Sequence, residues 1–488
     1  MQKGKNQMNP KAQAVKGRKL IGFYALTPYA LRLAIAALRS MLYIRPHALR
    51  FFRYALCAML CAVFVFIFSS VVNADVGEFF SKFHPHLTVQ EEYNDNIYLA
   101  PEDRKSDFIT TVYPGIRFST LPARVTTPGQ ILQAPEEPAG IDLNYRLGLV
   151  FYAREEENDY VNHQGTLNTW YTYDRRLTLR LRDYFIRSEE PREREYAAGA
   201  LEDQYLLGTQ RARSIYLRNV FEPSVDYRFG AEDRISINYR NNIYENQNPL
   251  IQDSREDYIN PRLTYWLNIR NGISLEYGLT FGDFELSPDL VGHMARGRYT
   301  YRFNPRTSVF VDYAFIRRDF DPPSTDYEVN NPGIGVEHAL TPTLTGRIQV
   351  GYFWQNTKSG IETDGVSYNV GLTERTERTI FDLSFQGGYR EDYFTAENLG
   401  FTKYHRAIAS ITHRLYERVT LGVSGTLERA EYLSDREDWI YFVRGNASFQ
   451  LLRWLSLSLD ASHRADDSNV DTVEYRENRV LLRLSATL

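Results

Sequence analysis

The chain ends in RVLLRLSATL, residues 479–488, where Val480, Leu482, Leu484, Ala486 and Leu488 fall on one side of an extended strand and Arg479, Arg483, Ser485 and Thr487 on the other. A period of two marks a strand with one apolar surface covered and one polar surface wet. A soluble sandwich would show the same pattern, so the sequence around it has to decide what the apolar side meets.

The alternation recurs about every twenty residues from His84 onward. Ile141, Leu143, Tyr145, Leu147, Leu149 and Phe151 share a face, as do Ile273, Leu275, Tyr277, Leu279 and Phe281. So do Leu344, Gly346, Ile348, Val350, Tyr352 and Trp354, and Leu455, Leu457, Leu459 and Ala461. Each run has about the 9–11 residues that a tilted strand needs to cross a bilayer, and aromatic residues gather near the ends.

The connections alternate in kind. Short turns fall at 173–177, 229–234, 268–272, 303–307, 340–344, 374–379, 416–419 and 452–455. Longer, polar and acidic connections fall at 154–162, 188–214, 244–257, 319–326, 357–365, 390–400, 433–438 and 463–472. Such asymmetry separates two environments, short periplasmic turns at one end and long outer loops at the other. The pattern predicts an all-β chain: a single transmembrane antiparallel up-and-down β-barrel of about 18–20 strands over residues 84–488. In a closed barrel the last strand pairs with the first and removes the sheet edge, which is why RVLLRLSATL has one lipid-facing side and no residue to spare. The Pro-rich segment 121–140 falls where a short turn is due, and reads as a disordered periplasmic excursion or a docking loop.

Residues 1–74 differ from the rest, with eleven Lys or Arg, no Asp or Glu, an apolar run from Tyr54 to Phe68, and small residues at Val72 and Ala74. They read as a secretory signal cleaved after Ala74, with Met41 as an alternative start and residues 75–83 as a short periplasmic lead-in. Both cysteines, Cys57 and Cys61, lie inside that leader. The exported chain is therefore expected to have no disulfide, thiolate metal site or thiol nucleophile. It carries 46 basic residues against 61 acidic ones, a formal charge of -15, which is ill suited to nucleic acid. No stretch after residue 75 has the roughly 18 consecutive apolar residues of a membrane helix.

Residues out of phase with the lipid-facing runs form the expected lumen lining. They are Arg146, Arg180, Arg182, Arg240, Arg347, Arg390, Arg444, Arg464 and Arg483, against Asp142, Glu276, Asp312, Asp382 and Asp460. Charges in hydrocarbon are costly, so this set needs water or pairing. Two readings stand side by side: arginine forks that hold anionic or sugar-rich solutes, and cross-strand ion pairs that stiffen the wall. Segment 188–214 is the candidate plug, with a solvated outer loop as its equal rival.

Catalysis is not expected. Ser462 and His463 are strand neighbours on opposite faces and cannot form a dyad, and the pair His84 and His86 is a weak metal clip without further ligands. No Walker loop, dinucleotide fingerprint or EF-hand spacing occurs, so neither cofactor nor metal is expected.

The stretch HPHLTVQEEYNDNIYLAPEDRKSDFITTVYPGIRF, residues 84–118, together with the hairpin array behind it, resembles the beta-barrel porin 2 family, in particular members associated with exopolysaccharide and exosortase clusters. The resemblance implies an outer-membrane pore that passes a secreted polysaccharide, with a periplasmic polysaccharide export protein as partner. The final strand also resembles the targeting strand read by the barrel assembly machinery, although Leu488 stands where Phe most often ends that signal. The expected surroundings are outer-membrane lipid and lipopolysaccharide. The alternative is a structural or adhesive barrel with a plugged lumen and functional acidic surface loops.

Overall fold

The computed structural model describes residues 81–120, 138–190, 213–358 and 362–487. The expected leader, most of the 121–140 and 188–214 segments, and Leu488 lie outside the described residues.

Twenty strands follow one another in chain order. They are β1 (Phe83–Asn94), β2 (Asp107–Ser119), β3 (Ala139–Tyr152), β4 (Tyr160–Tyr173), β5 (Leu177–Ser188), β6 (Tyr216–Arg228) and β7 (Arg234–Asn246). Next come β8 (Ser254–Trp266), β9 (Asn271–Phe284), β10 (Leu290–Asn304), β11 (Thr307–Phe320), β12 (Tyr327–Ala339), β13 (Leu344–Thr357) and β14 (Glu362–Arg375). The last six are β15 (Thr379–Asp392), β16 (Gly400–Tyr416), β17 (Val419–Tyr432), β18 (Glu437–Leu452), β19 (Leu455–Ser468) and β20 (Tyr475–Thr487). Each pairs antiparallel with its sequence neighbours, and β20 pairs with β1 from His86↔Thr487 to Asn94↔Arg479. The sheet is thus a closed up-and-down barrel with no free edge.

The strands are 12 to 17 residues long, more than the bilayer requires. The excess comes from connections that the sequence pattern assigns to loops. β18 begins at Glu437, inside the 433–438 connection, and β19 runs on to Ser468, inside 463–472. Asp438 looks like loop chemistry but is held from two sides: Arg436 in the preceding turn grips it at 2.6 Å, and Ser468 of β19 donates to it at 2.7 Å.

The outer surface is banded. Tyr171, Tyr173, Tyr227, Tyr265, Tyr299 and Phe303 are exposed towards the short-turn end. Towards the long-loop end a row of side chains is hydrogen bonded across strands: Tyr145 to His163 at 2.8 Å, Tyr277 to His293 at 2.7 Å, Tyr313 to Asn330 at 2.5 Å and Tyr368 to His405 at 3.0 Å. Between the two rows lie exposed Leu275, Val311, Ile348, Val350, Val423 and Leu482. From His293 to Phe303 along β10, a strand tilted by about 40° climbs about 25 Å, the height of the apolar band of an outer-membrane barrel. Above it the outer face turns ionic, as in Arg317 with Asp319 at 2.9 Å and Arg429 with Glu437 at 2.7 Å.

Candidate functional site: the inner wall

The face opposite the exposed apolar residues is the inner wall of the closed sheet, and it changes character along the axis. In its middle and its short-turn half, charges pair across neighbouring strands and the arginines stay partly wet. Arg117 meets Asp142 at 2.5 Å, with side chains 38% and 21% exposed. Arg444 meets Asp460 at 2.7 Å, Arg262 meets Glu276 at 2.8 Å, and Arg296 and Arg298 converge on Asp312 at 3.2 and 3.3 Å.

At the long-loop end the wall is packed. The carboxylate of Glu428, fully buried, accepts from both Arg390 and Arg406, the second at 2.5 Å. Arg390 also meets Asp392 at 2.6 Å, and Arg479 pairs with Glu92 at 2.9 Å across the β20–β1 seam. Aromatic clusters fill the space beside these ions, one of them built from Ile316, Tyr327, Val329, Phe353 and Phe401, with Tyr389 and Tyr393 against it. A second joins Tyr184, Ile186, Tyr216, Val220 and Tyr244, and a third Ile97, Ile109, Val150, Tyr152 and Tyr160. Burying these charges is tolerated because each carboxylate named has at least one guanidinium within hydrogen-bond reach.

Most of the arginines expected on the lumen side have carboxylate partners. Arg182 is 3.1 Å from Glu222, Arg240 is 2.7 Å from Glu256, and Arg347 is 3.3 Å from Glu337. Arg390 and Arg444 pair as described above, and Arg464 is buried at the long-loop end. Asp382 accepts a hydrogen bond from Thr373 at 2.7 Å. Arg146 hydrogen bonds to Gln164 at 2.6 Å and lies over the Tyr113 ring, 5.1 Å from its centroid. Among the described residues Arg146, Arg180 and Arg483 form no ion pair. The expected lining thus divides into paired struts and a small group of guanidinium forks on the arc from β20 to β5.

Several participants escape a reading by composition. Arg117, Arg318, Arg406 and Arg479 with their carboxylates Asp142, Glu391, Glu428 and Glu92 include only one residue, Asp142, of the expected lining. Strand phase is the available signal: Glu428 is out of step with exposed Val423 and Leu427. His84 and His86 both lie in β1, and His463 hydrogen bonds to Asn478 at 2.8 Å on the outer face. Among the described residues no group of three or more His, Cys, Asp or Glu side chains could hold a metal ion.

The matched family supplies the context for this wall. Residues 289–488 match the model of the family described as Putative beta-barrel porin 2. That segment runs from the start of β10 to the chain end, so the stretch 84–118 that bears the sequence resemblance lies ahead of it. The solved structures to which the chain is similar include three from Pseudomonas aeruginosa. OpdK with vanillate is 8% identical over 84% of this chain and 99% of its own, with a TM-score of 0.41. A mutant of the ferric enterobactin receptor PfeA is 8% identical over 83% of this chain and 80% of its own, with a TM-score of 0.47. OpdO is 11% identical over 84% and 98%, with a TM-score of 0.40. No curated protein matches the sequence.

Proposed function

We propose that the barrel is a passive outer-membrane channel for a secreted polysaccharide, with its arginine-bearing inner wall as the conducting surface. The observation that carries this reading is the arc from β20 to β5, where, among the described residues, no carboxylate comes within 4.0 Å of the guanidiniums of Arg483, Arg146 and Arg180, although Asp226 acts on Arg180 from farther off. A planar fork of donors with no protein carboxylate in ion-pair contact can take a uronate carboxylate or a pair of sugar hydroxyls. On this reading residues 1–74 are a cleaved leader, residues 75–83 a periplasmic lead-in and residues 84–488 the barrel. β20 is the strand read by the assembly machinery, lipopolysaccharide surrounds the long-loop end, and a periplasmic polysaccharide export protein feeds the short-turn end.

A second reading has its own support. The packed ions and aromatic clusters of the long-loop half favour a structural or adhesive barrel with a blocked lumen, its acidic loops acting at the cell surface. Flux separates the two. Barrel purified from outer membranes and reconstituted in liposomes should pass labelled neutral oligosaccharides, and uronate-rich ones at least as fast. The absence of flux for both, from folded barrel, would leave the structural reading in place.

A further inference from the structure

One connection at the long-loop end does not stay outside. The loop between β15 and β16, Tyr393–Leu399, falls within the acidic stretch 390–400 that the sequence pattern assigns to an outer loop, yet its side chains reach distant parts of the wall. Phe394 stacks on Phe284 at the end of β9, with ring centroids 5.2 Å apart and planes at 24°. Asn398 donates to Ser287 in the β9–β10 connection at 3.0 Å. Ala396 packs against the cluster built on β5, β6 and β7, where β6 lies ten strands round a twenty-strand ring from β16. On the near side Tyr393 hydrogen bonds to Tyr327 at 2.8 Å and packs on Phe320, while Glu397 lies 3.6 Å from Arg436.

The wall is built to receive it. A side chain at Gly282 on β9 would put its Cβ 2.9 Å from the Phe394 ring, so the aromatic occupies the space that glycine leaves. The loop turns back through two left-handed residues, Asn398 at φ 44 and Gly400 at φ 67, the second a conformation that glycine adopts without cost. Contacts to such separated strands require the loop to span the interior rather than cap one hairpin.

We infer that Tyr393–Leu399 is the selectivity constriction of the lumen: it sets the size of solute that passes, and the resting aperture is what remains between this loop and the wall. The inference rests on the channel reading above. Segment 188–214, the plug candidate from sequence, lies mostly outside the described residues, whereas this loop is held in the interior by named contacts on both sides.

The test uses barrel purified from outer membranes, with wild type beside three variants. One replaces Phe394–Asn398 by a Gly-Ser-Gly link; a second, Gly282→Leu, fills the pocket of Phe394 and leaves the loop sequence intact. The third, Ser287→Cys with Asn398→Cys, tethers the loop under oxidising conditions, and no other cysteine lies beyond residue 61. Expected are a single-channel step raised roughly threefold or more by excision and a smaller rise in Gly282→Leu, both with a higher oligosaccharide size limit. The oxidised tether should show a step no larger than wild type, and reductant should bring no loss of it. If the excised barrel conducts with the wild-type step and size limit, the loop is not the constriction, although the channel reading survives. If the excised barrel is folded by heat-modifiable migration and carries no current, both fall.

Discussion

Glu428 and Glu232 are both acidic partners of arginine, and their surroundings make them opposites. Glu428 is fully buried between Arg390 and Arg406, so Glu428→Gln removes a carboxylate that two guanidiniums share in the packed end of the wall and leaves Arg390 with Asp392. The expected loss is about 3–5 kcal/mol of barrel stability, read by urea unfolding in detergent micelles. Glu232 sits in the β6–β7 turn beside Arg302 at 2.6 Å, with its own side chain 52% exposed. Glu232→Gln should cost less than about 1 kcal/mol in the same assay. The hydrogen bonds from Arg302 hold the Glu232 carboxyl below its ordinary range. A carboxyl lowered in the folded state stabilises above its unfolded value, and that small contribution disappears as the pH falls through the lowered one. Strand phase makes the inner-face arginines legible, because it requires only local counting. Their partners are not, since Arg240 with Glu256 or Arg444 with Asp460 depends on the register between strands.

The β20–β1 seam shows how one strand's two faces divide the work. Val480, Leu482 and Leu484 are exposed on the outside, while Arg479 on the inside ties β20 to Glu92 of β1 at 2.9 Å. Leu482→Arg puts a charge near the middle of the apolar band and should lower the folding free energy into vesicles by about 2–4 kcal/mol. Ser485→Arg, out of phase and on the inner face, should leave it within about 0.5 kcal/mol. Equal losses would mean that the two faces do not separate lipid from lumen. The hairpin order is readable because short turns such as 340–344 carry their own chemistry. The long-loop ends are not, because Glu437, Asp438 and Asp466 look like loop residues until a neighbouring strand supplies a partner. The loop at 393–399 reads as external, although Tyr393 and Phe394 are poor residues for a solvated tip and are the available signal that it turns inward.

At the scale of the whole barrel, closure, banding and charge make one arrangement. Twenty strands enclose an interior wide enough for water, the outside matches a bilayer, and the half-wet inner wall bears guanidinium forks without ion-pair contacts among the described residues on one arc, while the long-loop end is packed with ions and aromatics. Neutralising the forks together, as Arg146→Gln, Arg180→Gln and Arg483→Gln, should shift ion preference away from anions with little change in the single-channel step. The most direct test of the account is the reversal potential of wild-type barrel, purified from outer membranes, in a planar bilayer under a potassium chloride gradient. The account predicts discrete conductance steps and a reversal potential displaced to the anion-selective side. Folded barrel that gives no steps, or one that reverses on the cation-selective side, would contradict it.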